Sequence, residues 1–175
     1  MLKEAALLER HPCTFLDSKD IRGLHNATTK IGEGAIIYVD DFIGTGDQFC
    51  KSRDFAAEYT LETFSEFLLA ACVCEEALYA LGKRGIQARA GRLHSINERA
   101  LHESSTLLDS ESKERLLELG RRVSRKGSLG YKELASMVVF YRNAPNSTPW
   151  LLRGNIKQTP HVGVLPRTTD LPSLL

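Results

Sequence analysis

Apolar positions along the chain fall into short blocks separated by polar, glycine-containing stretches. "AIIYV" (35–39) is a continuous β-branched and aromatic run, the pattern of a strand buried on both faces in a parallel sheet. "FLLAACVC" (67–74) is a second apolar run of strand length, and "IQARAG" (86–91) reads as a third strand. Helical signals lie between and after them. "DQFCKSRDFAAEY" (47–59) continues as a helix with Asp47 near its positive end. "EEALYALGKRG" (75–85) has helical spacing and closes on Gly85, a residue suited to a C-cap. "SESKERLLELGRRVSRKG" (110–127) is a helix opened by Ser110, with Leu116, Leu117 and Val123 on one face. "ELASMVVFYR" (133–142) favours a strand from Ser136 onward through its β-branched and aromatic content.

The two ends carry weaker patterns. Residues 2–10 read as a short amphipathic helix, and 12–33 as polar loop with one short helical turn. The tail from Asn143 carries five of the six prolines and reads as irregular, with Trp150, Leu151 and Leu152 pinned to the core. Strands alternating with helices predict an α/β domain with a largely parallel sheet. A chain of 175 residues suffices for one such domain with its own core. The predicted division is an N-terminal helix and loop (1–33), the α/β domain (34–142) and an irregular C-terminal tail (143–175) packed on it.

Charge and cysteine content narrow the field. With 23 basic and 22 acidic residues the formal net charge is +1, so nucleic acid is not indicated and no acidic membrane is implied. The local cluster Arg121, Arg122, Arg125 and Lys126 reads as the solvated end of a helix. No run of about 18 apolar residues exists, and "MLKEAALLER" lacks the apolar core of a signal peptide, so a cytoplasmic protein without a membrane span is expected. Cys13, Cys50, Cys72 and Cys74 show no zinc spacing and read as reduced thiols.

The chemistry concentrates in "GAIIYVDDFIGTGDQF" (34–49). Tyr38-Val39-Asp40-Asp41 has the wording of a polymerase metal-binding turn. That reading needs the acids at the tip of a hairpin, a second strand directly after it and a further carboxylate from an earlier strand. Only Phe42 and Ile43 follow before Gly44-Thr45-Gly46 breaks the pattern, and Asp17 and Asp20 lie in polar surroundings. The second reading uses the whole stretch. Two carboxylates at the end of a buried strand accept hydrogen bonds from vicinal ribose hydroxyls, directly or through a magnesium-bound water. The glycines let the following amides turn inward around a phosphate, and a helix start at Asp47 adds its positive end.

The stretch resembles the signature of the type I phosphoribosyltransferases: an apolar strand (Ile36, Ile37, Tyr38, Val39), an acidic pair (Asp40, Asp41), two apolar residues (Phe42, Ile43) and a phosphate loop (Gly44, Thr45, Gly46, Asp47, Gln48). With the later "APNSTPW" (144–150), the wording is most similar to divergent phosphoribosyltransferase-like proteins of bacterial conflict and antiviral defence systems. The resemblance implies a Rossmann-like parallel-sheet domain and a magnesium-dependent glycosyl transfer. It assigns Asp40 and Asp41 to the ribose hydroxyls of phosphoribosyl pyrophosphate, or of a nucleotide, and to Mg2+, and the loop amides to the 5-phosphate.

The chain departs from that pattern. Gly44 and Gln48 stand where the family usually carries hydroxyl side chains, and Asp47 adds a negative charge beside the phosphate position. The 39 residues before Asp40 hold no apolar runs matching the family's earlier strands. Two readings stay open: a transferase completed by a homodimer, a partner protein or a missing part of a longer chain, and a catalytically inactive nucleotide-sensing or interaction subunit. Arg89 and Arg92 are read as a solvated strand end, with pyrophosphate contact as the alternative. His94 and His102 lack an acidic partner at a telling spacing and are read as structural or exposed. Tyr141 and Trp150 are read as packing aromatics, with base stacking as the alternative.

Overall fold

The computed structural model describes residues 13–17, 19–124, 128–140, 144–154 and 163–165. The helix expected at 2–10 lies outside them. Helix α1 spans Ile21–Ile31, β1 Gly34–Ile43, α2 Asp47–Ala57, β2 Phe64–Cys74, α3 Glu75–Lys83 and β3 Gln87–His94. A longer helix α4 (Ser110–Val123) and a short helix α5 (Trp150–Arg153) follow, with single 3-10 turns at Ile96–Glu98 and Tyr131–Glu133. The three strands form one all-parallel sheet in the order β1-β2-β3. Parallel neighbours need a crossover, supplied by α2 and then α3. The expected α/β class with a parallel sheet is therefore what the chain forms, and among the described residues no strand precedes β1.

The chain divides into two compact units: residues 1–38 with 47–67, and residues 39–46 with 68–175. In the first unit α1 replaces most of the loop expected at 12–33. Its start is fixed by Asp20, whose carboxylate accepts from the Gly23 N–H at 2.9 Å. Ile21, Leu24 and Thr28 share one stripe of the helix, and Thr28 is tolerated there because its hydroxyl donates back to Leu24 and His25 carbonyls at 3.0 and 3.1 Å. Gly23, Asn26, Thr28 and Thr29 all have weak helix propensity, which hid this helix in the sequence. The first halves of β1 and β2 meet α2 through Glu66, which accepts from the Tyr38 hydroxyl at 2.8 Å and from Arg53 Nε at 2.8 Å. Tyr38 also packs edge-on against Phe49 of α2, ring centroids 5.3 Å apart.

In the second unit the later part of β2 supplies the centre: Leu68, Val73 and Cys74 have no exposed surface, and Ala77 and Leu81 of α3 are equally enclosed. The turn expected at Gly85 ends α3, and the Ile86 N–H returns to the Leu81 carbonyl at 3.0 Å before β3 begins. Helix α4 opens one residue earlier in capping terms than expected, because Asp109 rather than Ser110 accepts from the Ser112 N–H, at 2.8 Å. Two strand expectations need correction. β1 is not buried on both faces: Ile37 and Val39 are 56% and 59% exposed, and Leu69 of β2 and Leu93 of β3 are also largely open. Successive strand residues point to opposite faces, so each strand keeps some alternate residues uncovered while others are packed. The strand expected from Ser136 onward does not form either; residues 134–139 are irregular and only Phe140 makes a single bridge.

Candidate functional site

β1 carries the acidic pair inside the strand instead of ending at Val39, and continues to Ile43. There is no hairpin at Asp40-Asp41; the chain passes through three bends (Gly44, Thr45, Gly46) straight into α2. The polymerase reading fails on that connection. The strand also has a consequence for the acids. Successive side chains leave a strand on opposite faces, so Asp40 shares a face with Tyr38 and Phe42, and Asp41 with Val39 and Ile43. Both acids are exposed. Asp40 Oδ1 accepts from the Asp41 N–H at 2.8 Å, which folds its carboxylate over the strand end.

Lost hydration raises the Asp40 pKa above its ordinary 3.8, and the charge of Asp41 pushes in the same direction. A carboxyl with a raised folded pKa holds more protons folded than unfolded. Its stabilising effect is complete at low pH and is lost as pH rises above 3.8. At neutral pH the charge of Asp40 therefore works against the unliganded fold.

The two loop glycines are favoured for different reasons. Gly46 is buried with φ +80, a backbone that side chains disfavour. Gly44 is favoured by crowding: a Cβ there would lie 3.0 Å from Leu134 Cδ2 and 3.2 Å from Phe42 Cε1, so those side chains would have to give by a few tenths of an ångström. Ile43, 3% exposed, roots the loop in the core. α2 starts at Asp47 immediately after the bends, so the N–H groups of its first turn, which have no acceptor within the helix, follow the loop in the chain. Asp47 and Gln48 thus occupy the first turn of a helix, as the sequence reading required.

Family comparison reaches nearly the full length of the chain. The PRTase-CE family model matches residues 4–167. The chain belongs to the PRTase-CE family, a phosphoribosyltransferase-like family. Comparison with curated proteins gives no match, and comparison with solved structures gives none either. The PRTase-CE match and the three-stranded parallel sheet agree with a Rossmann-like domain, and among the described residues no further strand joins that sheet.

Beyond the strand ends, the PRTase-CE chain builds a charged cluster in its second unit that spacing did not reveal. Arg99, 1% exposed, reaches back with both terminal nitrogens to the carboxylate of Glu76 in the first turn of α3. The Ile96 N–H donates to Glu75 Oε2 at 3.1 Å. Burial pushes the Cys74 thiol beside Arg99 up to about 12, and Cys72 is raised for the same reason, so neither is a nucleophile. None of Cys13, Cys50, Cys72 and Cys74 takes part in a disulfide.

His94, 3% exposed, does have an acidic partner, contrary to the sequence reading. Glu98, four residues on, lies 3.2 Å from its Nδ1, and the ring Nε2 accepts from the Met137 N–H at 3.3 Å. An accepting Nε2 places the proton on Nδ1, which donates to Glu98. Burial lowers the His94 pKa below 6.5, in keeping with that neutral ring. Arg92 is paired with Glu98, and Arg89 is exposed. Trp150 carries the Arg153 guanidinium 4.8 Å above its ring, Arg122 pairs with Glu118, and Tyr141, Arg125 and Lys126 lie outside the described residues. Among the described residues no three His, Cys, Asp or Glu side chains cluster to hold a metal, and no helix is long and apolar enough to cross a membrane.

Proposed function

We propose that the chain binds the ribose 5-phosphate group of phosphoribosyl pyrophosphate or of a nucleotide along Asp40–Gln48. Asp40 and Asp41 take the ribose hydroxyls, and the amides of Gly44, Thr45, Gly46, Asp47 and Gln48 take the phosphate. The observation that carries this reading is the passage from an acid-bearing parallel strand, through a glycine bend, into a helix start within a phosphoribosyltransferase-like family. Ligands in open α/β sheets lie at the carboxyl ends of parallel strands, where this passage sits.

Two exposed carboxylates are the hard oxygen donors with which Mg2+ is held together with substrate phosphates, and a magnesium there would neutralise a departing pyrophosphate. The chain's own part in transfer is to orient ribosyl C1 and to place carboxylate charge near the cation that develops there. The acid pair favours an active transferase over a silent subunit, because a charge that opposes the unliganded fold, that of Asp40, is kept where a ligand uses it. The second reading, an inactive nucleotide-sensing or interaction subunit, draws on the sheet of only three described strands. In either reading we place the protein in the cytoplasm as part of a defence system. We further propose that a second copy or a partner protein completes the site, a reading supported by the open edge of β1 and its exposed Ile37 and Val39.

Calorimetric titration with phosphoribosyl pyrophosphate and Mg2+ tests the site, with light scattering on the same samples reading the oligomer. Wild type is expected to release or absorb heat, and Asp40→Asn/Asp41→Asn to give none. Binding retained by the double variant would refute the assignment. A monomer at every concentration would remove the second copy. The Asp40→Asn single variant keeps a carbonyl for the Asp41 N–H while removing the charge. It is expected to melt higher than wild type at pH 7 and equally at about pH 3, where the carboxyl is protonated. A lower melting temperature at pH 7 would show that the pair stabilises the unliganded chain.

A further inference from the structure

Past Gly130 the second unit holds a strained segment. Lys132, Glu133 and Ala135 have φ of +49°, +56° and +49°, and none of them is a glycine or asparagine. Left-handed backbone of this kind is disfavoured for any residue that carries a Cβ. Such conformations persist only where surrounding contacts impose them. The imposing contacts are backbone bonds. The Ala135 N–H donates to the Leu129 carbonyl at 2.8 Å, Tyr131 N–H to Asn146 at 3.0 Å and Ser136 N–H to Ser147 at 3.0 Å. Neutral His94 takes the next one, from Met137. The turn that receives the segment carries its own cost, since the buried hydroxyls of Ser147 and Thr148 have no hydrogen-bond partner among the described residues.

What this strain achieves is placement. Leu134 sits between the strained residues, 6% exposed, with Cδ2 only 3.0 Å from where a Cβ on Gly44 would be. Six residues later, Phe140 meets Phe42 edge-to-face, with ring centroids 6.4 Å apart. The segment is thus seated on both residues that flank Ile43, the root of the glycine bend. At its middle it is tied to His94, at the end of β3. Burying one leucine does not require three left-handed residues and two orphaned hydroxyls. Fixing a flexible glycine loop in one shape does, because a loop ordered in advance spares that ordering cost when the ligand binds.

We infer that residues 134–140 form a strap that holds the Gly44–Gly46 loop in its anion-binding shape, with Leu134 as the positioning residue for Gly44. The inference rests on the phosphate-loop reading given above. It assigns no contact between Leu134 and the ligand; the leucine acts through the loop.

The test is calorimetric titration of the full-length chain with ribose 5-phosphate, alongside thermal melts. Leu134→Ala is expected to bind at least tenfold more weakly while remaining folded at the assay temperature, and Leu134→Met to bind within about twofold of wild type. Gly44→Ala should also weaken binding, because its methyl meets Leu134 Cδ2. Gly44→Ala combined with Leu134→Ala should bind more tightly than Gly44→Ala alone, since the shortened side chain vacates that space. If Leu134→Ala does not fold, Leu134→Val carries the same comparison. A lowered melt with unchanged affinity would make Leu134 an ordinary core residue and end the inference. So would a double variant whose losses simply add. If wild type itself binds no ribose 5-phosphate, the phosphate-loop reading falls and the strap's role falls with it. Normal binding by both wild type and Leu134→Ala would remove the strap alone.

Discussion

Glu76→Ala is expected to lower the unfolding free energy by about 3–5 kcal/mol, whereas Arg99→Met stays close to neutral. The asymmetry follows from where each partner sits. The Arg99 side chain is 1% exposed and that of Glu76 is 42% exposed. Removing the glutamate strands a guanidinium in the interior without its hydrogen-bonded countercharge, leaving Glu75 to act on it only through space. Arg99 Nε already has no partner among the described residues. Removing the arginine leaves a carboxylate that water can reach and takes the orphaned Nε away, while methionine refills the apolar length of the side chain. The Glu76 pKa supplies an independent check. Hydrogen bonding from Arg99 holds its carboxyl below the ordinary 4.5, so this contribution is present above pH 4.5 and is lost as pH falls below it. Guanidinium unfolding at pH 7 and at about pH 3 reads both points. Equal losses for the two variants would mean that the pair is bound by packing and not by charge compensation.

Gly130→Ala should cost about 3 kcal/mol or more and release the strap. Gly130 has φ +82 and ψ −170, a region open essentially to glycine alone, worth about 1–3 kcal/mol for any other residue. The added methyl would also stand 2.2 Å from the Ser147 carbonyl oxygen and 2.8 Å from that of Thr148. Those are backbone atoms of the turn that anchors the strap, so no side-chain rotation relieves the clash. Amide hydrogen exchange reads the outcome. The Ala135 and Ser136 amides, bonded to Leu129 and Ser147, should exchange much faster in the variant, with the Leu68 and Val73 amides of the central strand changing less. Uniform acceleration across the second unit would show instead that Gly130 supports the unit as a whole.

Much of the fold was legible because the signals were local. The runs at 35–39, 67–74 and 86–91 mark β1, β2 and β3. The helices between them are announced by spacing, by Glu75 and Glu76 at a helix start, and by Gly85 after a helix end. Strand ends were less legible. Asp40 and Asp41 look like loop residues, yet the ladder holds them in β1, because extended pairing depends on the neighbouring strand and not on the residue's own preference. Helix α1 was missed for the same reason in reverse: its capping aspartate and back-bonded Thr28 outweigh four weak helix formers. At 133–142 the β-branched run suggested a strand. The backbone N–H groups of Ala135, Ser136 and Met137 are committed instead to Leu129, Ser147 and His94, which keeps those residues out of a ladder.

The sequence by itself determined the order of the elements and the composition of the loop: an acidic pair, two apolar residues and two glycines stand next to one another in the chain. Adjacent residues meet wherever the chain folds, so their chemistry can be read in line. Only the tertiary structure decided that Leu134 leans on Gly44, that Arg99 is enclosed against Glu76 and that Ile37 and Val39 face outward. Those facts depend on which distant segments share a volume. Close packing and the pairing of buried charge are set across space, where spacing along the chain carries no record of them.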